Sequence, residues 1–135
     1  MKFDTLVHKV SNQKNWTLLY MKEDDVYRLQ VPTPGDRRQD VFIAFRQDDA
    51  QLWVATIWST VADVDDFNLS DPLELLRFNW RNIWGHLAIR GEEVILVHNQ
   101  ITAEADWIEV ARVVEAIGTA SDGIEAMIYG ERDDK

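Results

Sequence analysis

The apolar positions change period several times along the chain, and each change marks an element. Phe3, Leu6, Val7 and Val10 recur at helical spacing and predict a short helix ending near Ser11-Asn12. Trp16 to Met21 reads as a strand, Glu23-Asp24-Asp25 as a turn and Val26 to Val31 as a second strand. Pro32 and Pro34-Gly35 are expected to stop that strand, because proline offers no ladder donor and Pro-Gly favours a turn. Val41 to Arg46 is a third strand, rich in β-branched and aromatic residues. Asp48-Asp49 makes the next turn and Leu52 to Val61 a fourth strand. Turns this short imply antiparallel neighbours.

The second half opens with helix start signals. Asp71 suits the N-cap, Pro72 the first helical position, and Glu74 can complete a capping box. Leu73, Leu76 and Trp80 share one face, with Leu75 and Phe78 beside them, and the helix should end near Asn82. Trp84 to Arg90 and Glu93 to Gln100 form a hairpin about Gly91-Glu92. A two-residue loop sets Leu87, Ile89, Val94 and Leu96 on one core-facing side. Thr102 is the expected cap of the last helix, with Glu104 and Asp106 in its first turn. Val110, Val114, Ile117, Ser121, Ile124 and Ile128 make one stripe along it. Gly118 and Gly123 interrupt good helix formers, so a kink at one of them, or a split into two helices, stays open. The order is α-β-β-β-β-α-β-β-α, an α+β sandwich built on an antiparallel sheet.

The chain has 135 residues, enough for a single domain over 1–135, and 46% of them are hydrophobic. It has no cysteine, which excludes a disulfide scaffold, a thiolate zinc site and a cysteine nucleophile. No apolar run approaches the roughly 18–20 residues of a membrane span, and Met1-Lys2-Phe3-Asp4-Thr5 lacks the flank of a signal peptide. A cytoplasmic protein without a membrane partner is expected. The formal charge of −10 repels phosphates, so no nucleic-acid partner is expected either. The acids cluster in turns and termini, not in the regular stripe that a mimic of nucleic acid needs. Arg37-Arg38, between Asp36 and Asp40, reads as a solvated loop.

Candidate chemistry is sparse. His8, His86 and His98 match no metal-ligand spacing, and the two-residue hairpin loop sends His86 and His98 to opposite sides of the sheet. A loop one residue longer would bring them together, so a small-ligand or enzymatic site around His86 and His98 is the alternative reading. Asp63-Val64-Asp65-Asp66-Phe67-Asn68 fails the calcium-loop template, with Phe67 at a ligand position and no glycine. No nucleophile elbow, phosphate-cradling loop or dinucleotide fingerprint exists. No catalytic residue, metal or cofactor is expected.

Six tryptophans are many for this length. Trp53 and Trp58 must lie on opposite faces of one strand, because their separation is odd. One joins the core; the other needs a helix, a second subunit or a client to cover it. Both hairpin faces are apolar, so a homodimer is expected, with Trp80, Trp84, Ile95, Val97 and Trp58 as its contact or client-binding residues. Edge strands would also accept an extended client segment.

Leu75-Leu76-Arg77-Phe78-Asn79, the hairpin from Trp84 to Val97 and the closing helix with Ala120-Ser121-Asp122 together resemble the type III secretion chaperone-like superfamily, in particular its YbjN-type branch. The likeness covers roughly three-quarters of the chain; Trp16 to Met21 would be an extra strand, and the two helix glycines are unusual. The resemblance implies a chaperone-like sandwich that pairs as a homodimer and binds protein clients or regulates, without catalytic residues.

Overall fold

The computed structural model describes residues 3–67, 72–102 and 106–133, the last three of these in backbone only. Asp71, Glu104 and the end of the acidic tail lie outside the described residues. Along the chain run α1 (Asp4–Lys14), β1 (Thr17–Met21), β2 (Val26–Thr33), β3 (Arg37–Gln47) and β4 (Trp53–Asp63), then a single 3-10 turn (Val64–Asp66). They are followed by α2 (Pro72–Arg81), β5 (His86–Arg90), β6 (Glu93–Ile101) and α3 (Trp107–Asp133). The fold is α+β, with one antiparallel six-stranded sheet in the order β1-β2-β3-β4-β6-β5.

Tight turns set the registers. Met21 pairs with Val26 around the acidic turn, and Thr33 with Arg37 around Pro34-Gly35-Asp36, where Gly35 takes φ of +80°. Arg90 pairs with Glu93, so the β5–β6 loop holds two residues. Leu87 then faces Leu96 and Ile89 faces Val94 on one side, as the alternation requires. Val94 and Leu96 are buried there, Leu87 is half-buried, and Ile89 is exposed at the sheet margin. Pro32 does not stop β2, which runs on to Thr33. It lies beyond the last β1 pair, Thr17 with Gln30, where β2 is an edge and tolerates a missing donor.

α1 and α3 pack on one face of the sheet, α3 crossing β2, β3, β4 and β6. Leu29, Ile43, Ile57 and Leu96, from four adjacent strands, meet the Val110, Val114 and Ile117 stripe in the core. α3 is one continuous helix through both glycines. Thr102 does not cap it: its N–H and Oγ1 both donate to the Trp53 carbonyl, at 3.2 and 3.0 Å, tying the end of β6 to the start of β4. The carboxylate of Asp106 accepts from the Glu109 N–H instead, at 3.0 Å. Farther along, Asp122 takes Arg37 bidentately, with contacts down to 2.7 Å, and clasps α3 to the start of β3.

Candidate protein-binding surface

α2 is amphipathic, and its more apolar face points outward. Leu75, Phe78 and Asn79 turn toward the sheet, at the spacing that puts helix residues on one face. Asn79 fixes the contact: its Oδ1 accepts the Leu87 N–H at 2.7 Å and its Nδ2 donates to the Leu87 carbonyl at 3.4 Å. α2 therefore sits at the β5 margin and not across the sheet. Leu73, Leu76 and Trp80 face solvent, and Trp80 is 90% exposed. Ile83, 85% exposed, and Trp84, 42% exposed, follow the helix end in sequence, and Trp84 also lines a groove with Trp107 and Ile108 of α3. Asn82 orders that corner by donating to the carbonyls of Trp84, at 2.7 Å, and Gly85, at 3.1 Å. Arg77 and Arg81 border the surface; Arg77 pairs with Glu74 one turn earlier.

The five residues expected at an interface separate into two groups. Trp80 is on the outer face of α2, and Trp84 lies just beyond the helix end, against His98 and the groove beside α3. Trp58, Ile95 and Val97 lie on the opposite face of the sheet, and Trp58 is only 5% exposed. No described helix covers that face; its own side chains do. The Trp58 ring stacks on Phe42 at 5.6 Å, and the Arg90 guanidinium lies 5.0 Å above it. In the single chain Trp58, Ile95 and Val97, expected at a contact, expose little area, because the Phe42 ring and the Arg90 side chain lie against Trp58. Trp53 is on the helix side, where Phe3 meets it edge-on at 5.2 Å and stacks on Phe45 at 4.2 Å.

The histidines are not brought together. His86 pairs with Val97 and shares its face, so the neighbouring His98 projects to the other side. His98 packs edge-on against Trp84, 6.3 Å between ring centres. Burial, with a smaller contribution from His86, holds its pKa below the ordinary histidine range. Among the described residues, no three His, Cys, Asp or Glu side chains group closely enough to hold a metal ion. Asp66 of the acidic stretch instead accepts from the Tyr129 hydroxyl at 2.8 Å.

Residue reasoning gave Asn79 and Ile83 no role of their own. An amide on the sheet-facing side of a helix that leads into an edge strand was the signal for Asn79. For Ile83 an isolated apolar residue after a helix carried none. Among the described residues, no helix is long and apolar enough to cross a membrane. No protein-family model and no curated protein matches the chain.

Proposed function

We propose that the chain is a non-enzymatic protein-binding module, chaperone-like or regulatory, that works in the cytoplasm as a homodimer. One observation carries this reading: an apolar helix face with Trp80 almost fully in water, followed in sequence by Ile83 and Trp84. An exposed patch of large apolar side chains with a charged border is the usual mark of a protein interface. The charges along α2 favour a second copy as one occupant. Glu74 lies near the start of the helix and Arg81 at its end. An antiparallel pairing of two α2 helices about a two-fold axis sets the acidic end of each against the basic end of the other. The element order supports the resemblance to the type III secretion chaperone-like superfamily, with β1 as one strand more than usual. Trp58, Ile95 and Val97 drop out of the proposed surface, which narrows to the outer face of α2 and Trp84.

The absence of cysteine makes the test clean. Leu76→Cys places a single thiol on the outer face of α2, and mild oxidation should trap a disulfide-linked dimer. Lys9→Cys, on the exposed side of α1, should cross-link far less. Equal cross-linking at both positions would contradict an α2-centred pair.

A further inference from the structure

β5 is an edge strand, yet its edge is occupied at Leu87. Asn79 fills that place with a side-chain amide, which carries the same carbonyl acceptor and N–H donor as a peptide group. It meets the Leu87 N–H and carbonyl as the backbone of a neighbouring strand would. Two residues on, Ile89 presents its backbone in the same direction and bonds no other described residue outside the ladder. Behind Asn79, between α2 and the hairpin, lies an apolar cavity of about 320 Å³, lined by Phe67, Leu75, Leu87, Ile89 and Val94 among others. α2 itself is lightly anchored, with no buried residue over its length.

We propose that the β5 edge is an acceptor site for an extended peptide segment, held closed by Asn79. The occupant is a peptide backbone because the group now in place is its chemical copy. Its side chains alternate, and the apolar ones cover Leu87, Ile89 and Val94, the sheet wall of the cavity, in the place α2 vacates. Its exposed positions are neutral or basic, because the chain as a whole carries −10. Opening requires α2 to swing away and release the amide, so Asn79 acts as a positioning residue and an autoinhibitory contact. The proposal rests on the protein-binding reading but uses a surface other than the outer face of α2.

The test compares the full chain with Asn79→Ala and Asn79→Asp. The probe is a synthetic peptide of alternating valine and leucine at every second position, with threonines between and a lysine at each end. Asn79→Ala should bind it at least about tenfold more tightly than the unsubstituted chain, an effect equal to about 1.4 kcal/mol. Asn79→Asp keeps the acceptor for the Leu87 N–H but loses the donor, and should fall between the two. Methylating the peptide's backbone nitrogens should abolish binding, and cross-strand nuclear Overhauser contacts should place the peptide beside Leu87 and Ile89. Equal affinity of all three proteins, or contacts elsewhere, would overturn the proposal. Pairing of Asn79→Ala with itself through β5, with no peptide bound, would overturn it in favour of a second copy. If Asn79→Ala fails to fold, the Asn79→Asp comparison decides alone. Failure of α2-centred cross-linking with peptide binding intact would remove the dimer and leave this site standing.

Discussion

His98 and Trp58 show how a single side chain departs from what its spacing allows. Odd and even positions along β4 and β6 were enough to separate Trp53 from Trp58 and the two hairpin histidines from each other, but not to say which tryptophan faces the helices. What covers each ring depended on side chains distant in sequence, Phe42 and Arg90 over Trp58 and Trp84 over His98. Periodicity carries no information about such contacts. The His98 environment has a measurable consequence. Trp84 packs edge-on against it, and its pKa is lowered chiefly by burial, with a smaller effect of the His86 charge. The unfolded chain therefore takes up the proton at a higher pH than the folded one. Stability from this group is fully present above the ordinary histidine pKa of about 6.5 and declines as pH falls through it. Urea midpoints at about pH 7.5 and about pH 5 should differ for the unsubstituted chain, and by less in His98→Leu. An unchanged difference in the variant would contradict this environment for His98.

The elements were more legible than their ends. Alternation and short turns located all six strands, and the 4-3-4-3-4 stripe located α3. Thr102 looked like a cap because it precedes an apolar stripe, but the Trp53 carbonyl claims its hydroxyl. Pro32 looked like a strand end because sequence does not show how far the neighbouring β1 extends. For α2, Trp80 was expected at a contact, but which side of the helix meets the sheet was not legible, for the same kind of reason. An amphipathic pattern gives a helix an apolar side without saying whether the sheet or the solvent meets it. α3 resolves the question its two glycines raised. A Cβ on Gly118 would lie 3.2–3.3 Å from Val31 and Val41, so glycine lets the helix approach the sheet closely. A Cβ on Gly123 meets nothing within 4 Å. Gly118→Val should therefore destabilise the fold by about 1–3 kcal/mol through overpacking. Gly123→Ala should stabilise it by about 0.5–1 kcal/mol through helix propensity. Denaturant melts that showed the same sign for both substitutions would contradict this packing of α3.

For the whole molecule, the helices gather on one side and one edge of a sheet whose other face is closed by its own side chains. The largest apolar side chains left in water are therefore concentrated around α2. The proposed protein-binding role rests on that distribution, and the formal charge of −10 disfavours phosphates and anionic lipids as partners. The same charge opposes self-association at low ionic strength, where exposed like charges repel over a longer range. A stable pair would have to bury on the order of 1,200–2,000 Å² in total to outweigh it. The central claim, that α2 is the assembly surface of a homodimer, meets its most direct test in light scattering at micromolar concentration and moderate salt. The unsubstituted chain should scatter at twice its 15.7 kDa mass, and Trp80→Glu should return it to the monomer with its fold retained. A monomeric unsubstituted chain would contradict the dimer, and a dimer undisturbed by Trp80→Glu would contradict the surface.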